Sequence, residues 1–185
     1  MTSAEFEERY GDERVELWRG VVVEMSPTKP THGKIGIRLT LALGGYAMQT
    51  GLGEFWPEGA GFTILSQPDT VVAPDLSFIP ADVAPTLTDE DPGFPFFVPP
   101  LVVEIKSPND TELEITAKLS LYYAAGVREI WWVRPKPKTI TRYWIDRDPI
   151  VLRPGDTLAD IDVLPGFSMA VDDMFPPEQP IRGDG

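Results

Sequence analysis

Leu101-Val102-Val103-Glu104-Ile105-Lys106-Ser107-Pro108 decides how this chain is read. Four of its first five positions suit a fully buried strand, yet the remaining one, Glu104, is an acid. An unpaired carboxylate is expensive to bury, so Glu104 needs a cationic partner or a metal ion. Lys106 is two residues on, and the period-2 alternation of a strand predicts both side chains on one face. Immediately downstream, Thr111-x-x-Glu114 has the form of a capping box that opens a helix, and Gly126 stands where a C-terminal glycine belongs. Glu129–Arg134, with Trp131, Trp132 and Val133, reads as the next strand. Lys136-Pro137-Lys138 then turns the chain into Ile140–Ile145.

Upstream, Val15–Trp18 and Val21–Met25 flank Arg19-Gly20 as a hairpin of β-branched and aromatic residues. Thr31 opens a helix to about Thr50, with Gly51 at its end. Phe62–Leu65 and Val71–Ile79 are expected strands, parted by Ser66-Gln67-Pro68-Asp69. Asp75 interrupts the second of these as Glu104 interrupts its own. Residues 80–100 carry six prolines and are expected to form a mobile loop beside the site, because they join the strand of Asp75 to that of Glu104. The order hairpin, helix, strands, strand–helix–strand, hairpin predicts an α/β fold, with a mixed β-sheet flanked by helices. One domain over 1–175 and a flexible tail over 176–185 complete this reading.

Composition narrows the function. The 185 residues include no cysteine, which removes disulfides, thiolate metal sites and cysteine nucleophiles. A single histidine, His32, removes histidine-pair catalysis. No apolar run reaches membrane-spanning length and the start is acidic, so no membrane association and a cytoplasmic location are expected. The net charge of −13 is unusual for a nucleic-acid binder, which gains affinity by neutralising phosphates. The acid is unevenly spread. Residues 1–18, 80–100 and 143–185 carry −4, −4 and −6, while the remaining middle carries +1.

Pro74-Asp75 followed some thirty residues later by Glu104-Ile105-Lys106, each on an expected strand, resembles the PD-(D/E)xK restriction-endonuclease-like superfamily. Glu16-Leu17-Trp18-Arg19-Gly20, Ser26-Pro27, His32, Lys118-x-x-x-Tyr122, Ala125-Gly126-Val127-Arg128-Glu129-Ile130-Trp131 and Leu164-Pro165-Gly166-Phe167 look like the Uma-type endonuclease family within it. The resemblance spans about residues 10–175. This chain departs from the family pattern at Val15, often Tyr, at Arg19, often an acid, and at Arg134, often Asp. The resemblance implies a restriction-endonuclease-like core with N-terminal and C-terminal β-hairpin additions. It also implies a Mg²⁺- or Mn²⁺-dependent endonuclease that hydrolyses phosphodiester bonds of nucleic acid, expected to be DNA. Asp75, Glu104 and the backbone carbonyl of Ile105 would hold the ion, since hard carboxylate oxygens suit it. Lys106 would orient or activate the attacking water. Glu16 is either a further ligand or a solvated hairpin acid. His32 is either in the site or a plain polar residue at a helix start. Lys118 shares a helix face with Tyr122 and is either in the site or on an exposed face. Lys34 with Arg38, and Arg134-Pro135-Lys136-Pro137-Lys138, either touch phosphates or are merely solvated. A homo-oligomer such as a dimer would let two chains cut two strands. The competing reading keeps the fold without turnover, as an interaction or assembly module.

Overall fold

A computed structural model describes residues 1–88 and 92–177. Its centre is a six-stranded mixed sheet built around the quoted segment. That segment forms β7 (Leu101–Ile105), buried at every position. It pairs in parallel with β8 (Glu129–Arg134), opposite which runs antiparallel β9 (Thr139–Trp144). Parallel neighbours need a crossover, and α4 (Glu112–Ala125) supplies it. This helix starts at the expected capping box, where the Thr111 side chain accepts from Glu114 N–H and the Glu114 carboxylate accepts in return. It stops at Gly126, whose φ of 84° is left-handed. β6 (Leu76–Pro80) and β3 (Gly53–Pro57) complete one side of the sheet and β10 (Ile150–Leu152) the other, giving the order β10-β9-β8-β7-β6-β3.

A second sheet of four strands has the order β2-β1-β5-β4: β1 (Val15–Trp18), β2 (Val21–Glu24), β4 (Phe62–Leu65) and β5 (Thr70–Val72). The expected hairpin is present. Arg19 and Gly20 take φ values of 49° and 82°, the double positive that a two-residue turn matched to strand twist requires. The expected single strand 71–79 is not. It breaks after Val72 and resumes at Leu76 in the other sheet. Pro74 offers no N–H to a ladder, so continuous pairing fails there. Asp75 therefore sits on the step between two sheets, not within a strand.

Alternate residues of β7 and β8 face different partners. Val103, Ile105, Trp131 and Val133 pack against Ile35, Leu39 and Leu43 on one side of the main sheet. Ile35 and Leu39 lie on α2 (Pro30–Leu39), which runs through a wider π turn at Thr40–Gly44, carrying Leu43, into α3 (Gly45–Thr50) and ends at the left-handed Gly51. The same core takes in the C-terminal strands β11 (Thr157–Leu158) and β12 (Met169–Ala170) and α5 (Val171–Met174). On the other face Val102, Ile130 and Trp132 meet Ile115, Leu119 and Tyr122 of α4 and Phe62, Ile64 and Val72 of the smaller sheet. Glu104 belongs to this second face. Buried Arg142 pins the C-terminal segment to the sheet. Its Nε donates to Glu129 at 2.6 Å and its terminal nitrogens to the Ala159 and Asp160 carbonyls at 2.7 and 2.9 Å.

The proline-rich segment departs from expectation. Residues 89–91, and the expected tail from 178 onward, lie outside the described residues. What is described of 80–100 is anchored to α1 (Ser3–Tyr10), a helix not foreseen in the sequence, and to β4. Gly93 N–H donates to Glu7, Phe94 packs on Phe6 with ring centroids 5.9 Å apart, and Thr63 exchanges backbone bonds with Pro95 and Phe97. None of these residues borders the cleft described next. The segment is a strap over the smaller sheet and not a lid beside the site.

Candidate active site

The two sheets and α4 enclose a cleft of about 100 Å³ lined by Glu16, Trp18, His32, Asp75, Glu104, Ile105, Lys118 and Trp132, among others. A water needs roughly 10–15 Å³ of such volume, so an ion with several waters fits and a nucleotide base does not. Three charged side chains are nearly lost to solvent: Glu16 is 2% exposed, Glu104 6% and Lys118 8%.

Their burial is possible because they satisfy one another. The Lys118 ammonium lies 2.8 Å from Glu104 Oε1 and 3.0 Å from Glu16 Oε1. The Tyr122 hydroxyl, one helical turn after Lys118, also donates to Glu104 Oε1. Glu16 Oε1 accepts the Ala73 N–H at 2.8 Å, and its Oε2 accepts the Trp18 indole N–H at 2.8 Å. Burial pushes the Glu104 carboxyl up to about 7. The nearby charge of Lys118 opposes this, and those of Asp75 and Glu16 reinforce it. For Lys118 burial works against the charged form, but the charges of Glu104 and Glu16 prevail and hold its value above the ordinary one. Burial, then the charges of Glu104 and Glu16, drive Tyr122 well above the usual phenol value, so it serves as a neutral donor.

Asp75 enters from the step between the sheets. Its Oδ2 accepts the Ile105 N–H at 2.6 Å, which ties the step to the end of β7. His32 Nε2 lies 3.1 Å from both carboxylate oxygens. Burial alone would lower the histidine, but the hydrogen bond and charge of Asp75, with help from Glu58 and Glu104, raise it overall. Pro30, Thr31 and His32 form the first turn of α2, so helix geometry fixes this contact.

Five of the six side chains singled out in the sequence thus come together: Asp75, Glu104, Glu16, His32 and Lys118. Lys106 does not join them. β7 ends at Ile105, and the chain turns at Ser107–Asp110, where Ser107 N–H donates to Asp110 Oδ2 at 2.7 Å. The Lys106 ammonium is drawn to the carbonyls of Ser107 and Asp110 in that turn, outside the cleft. The period-2 argument failed because the strand stops one residue before Lys106. Lys118 carries the positive charge there instead. Tyr122, Trp18 and Trp132 had no assigned role in the sequence, yet the first two hold the buried carboxylates. Trp132 lines the cleft with its indole N–H buried and without an acceptor.

Among the described residues no three His, Asp or Glu side chains form a ready metal cluster. Mg²⁺ does not require one, since it is commonly held by one or two carboxylates while keeping several waters. Asp75 and Glu104 supply such a pair at one cleft, and the unpartnered Trp132 N–H is a donor that water or a substrate oxygen would satisfy. The donor set fits a hard divalent ion.

Residues 3–172 match the Uma2 family, described as "Putative restriction endonuclease". The chain belongs to the Uma2 family. Its fold is shared by the crystal structure of "a putative nuclease belonging to DUF820" from Anabaena variabilis ATCC 29413, with a TM-score of 0.79 over 95% of this chain and 97% of that one. Identity between the two is 17%, so the likeness concerns fold alone. No curated protein matches the chain. The restriction-endonuclease-like architecture expected from the motif order is therefore the one this Uma2 chain adopts, and no helix among its described residues is long and apolar enough to cross a membrane.

Proposed function

We propose that this Uma2-family protein is a divalent-metal-dependent endonuclease that hydrolyses phosphodiester bonds of DNA. The observation that carries this is the convergence of Asp75 and Glu104, from the sheet step and from β7, with the buried Lys118 ammonium at one small polar cleft. Asp75 and Glu104, with the carbonyl of Ile105, would hold Mg²⁺ or Mn²⁺. When bound, such an ion polarises the scissile phosphate and lowers the pKa of a coordinated water. The protein's own residues do the rest. Lys118 offsets negative charge that grows on the phosphoryl oxygens, in the low-dielectric surroundings where a fixed cation counts most. Glu16 and Glu104 hold that cation in place, Tyr122 fixes the Glu104 carboxylate, and His32 orients Asp75. Residues 1–175 act as one nuclease domain, and two copies would be needed to cut both strands of a duplex at one place.

Purified protein and supercoiled plasmid test the reading. Nicking should require Mg²⁺ or Mn²⁺ and stop with a chelator. Asp75→Ala and Glu104→Ala should abolish both nicking and calorimetric metal binding. Chelator-insensitive nicking, or activity retained in either variant, refutes it. One observation favours the non-catalytic alternative: the net charge of −13 opposes binding to a polyanion. Metal binding without cleavage of any DNA or RNA would decide for that module.

A further inference from the structure

The acidic balance of the chain hides one basic surface. Beside the cleft lies a groove of about 960 Å³, and four of the chain's six lysines line it: Lys29, Lys106, Lys136 and Lys138. No Asp or Glu lines it among the described residues. The lysines come from three separate elements: the residue that caps α2, the turn after β7, and the β8–β9 turn. The groove meets the cleft along a shared edge, because His32 and Ser107 border both. Arg134 and Arg38 do not line the groove. Arg134 is held by Glu112 through two bonds of 2.7 and 2.8 Å, and Arg38 donates to the Asp173 carbonyl. Lys34 lies outside the groove.

We infer that this groove seats the phosphate backbone of a DNA duplex and leads one strand to Asp75 and Glu104. The inference rests on the nuclease reading above and gives its substrate a place. Lysine ammonium groups are compact point charges suited to phosphates. A polyanion would be repelled by the acid-rich ends of the chain, so a strip that four lysines line, with no Asp or Glu among its described residues, is where it can dock. The walls also distinguish a duplex from a single strand. Single-strand binders stack bases on exposed rings. The aromatic side chains among its described lining residues, Phe175 and His32, are only 6% and 7% exposed, so they offer no such platform. The groove contacts backbone, not bases.

The test is fluorescence anisotropy with a short labelled DNA duplex in EDTA across a salt series, where no cleavage can intervene. Lys29 and Lys136 are exposed, so the double variant K29Q/K136Q removes charge without disturbing the core. Each lost phosphate contact should flatten the log–log salt dependence by about 0.9, so the double variant should lose about two units of slope. At the lowest salt its affinity should fall about tenfold or more. K34Q, outside the groove, should match wild type. Wild-type slope and affinity in K29Q/K136Q, an equal loss in K34Q, tighter binding of the single strand than of the duplex, or no duplex binding by wild type overturns the inference. The two readings fail separately. Metal-dependent nicking that survives in K29Q/K136Q with unchanged DNA binding removes the groove and leaves the nuclease. Groove-dependent binding without nicking under any metal removes the nuclease and leaves the groove.

Discussion

Replacing Lys118 by methionine keeps the length of the side chain and deletes its charge, and the geometry sets the size of the effect. The ammonium sits 2.8 and 3.0 Å from two carboxylates, with all three groups under 10% exposed. At an effective dielectric of about 20, each contact is a gross attraction of about 6 kcal/mol, most of it offset by desolvation. What the variant loses is larger than that net value, because Glu16 and Glu104 remain buried with no cation between them. Breaking a buried pair by removing one partner costs about 3–5 kcal/mol. For a protein of this size that corresponds to a midpoint lowered by roughly 10 °C. The loss should be greatest at mildly alkaline pH and should shrink toward pH 4.5, where Glu104 can take up a proton. Lys106→Met is the internal control. That ammonium touches only backbone carbonyls and is half-buried, so its loss should cost about 1 kcal/mol. Denaturant unfolding followed by tryptophan fluorescence measures both. A Lys118→Met variant within 1 kcal/mol of wild type, or a Lys106→Met variant as damaged as Lys118→Met, would refute the account of the cleft.

Further predictions concern the same groups. Because the folded value of Glu104 is raised from 4.5 to about 7, its contribution to stability is fully present below 4.5 and is lost as pH rises through 7. Metal-free protein should therefore melt earlier at neutral pH than in mild acid in a scanning calorimeter, and Glu104→Gln should flatten that trend. Mn²⁺ must displace this proton, so its apparent affinity by titration calorimetry should weaken as pH falls below 7. Tyr122→Phe removes the hydroxyl donor to Glu104 and leaves a buried acceptor short of one bond, at about 1–3 kcal/mol in chemical denaturation. A change below the measurement error would mean that the hydroxyl is dispensable.

Much of the fold could be read because local and global signals agree. The buried run Leu101–Ile105, the capping box at Thr111, the stop at Gly126 and the Arg19-Gly20 turn are each fixed by neighbours in sequence. The site was partly readable for a different reason. Acids within apolar runs announce that partners must exist, but they do not say which. Lys106 and Lys118 both offered a charge to Glu104. The choice depended on where β7 ends and on the turn carbonyls that draw Lys106 away, which is tertiary information. A signal for Lys118 was present all the same. It falls between Ile115 and Tyr122 on the buried side of α4, where a lysine needs an acid to meet. The break at Pro74 was readable too, since proline cannot sit in a paired central strand. Its consequence, a change of sheet, was not, because both halves are equally apolar.

That change of sheet makes the cleft a joint. Glu16 is carried by one sheet, Glu104 by the other, and Asp75 by the three residues that cross between them, while Lys118 spans the gap like a rivet. The spacing of the acids is thus inherited from how Phe62, Ile64 and Val72 seat against Val102 and Ile130. Sequence drift in that apolar seam is not neutral for the cleft even when it is neutral for solubility. A lineage that retunes this cleft need never touch its charged residues, because adding or removing one methyl group in the seam resets the gauge between them.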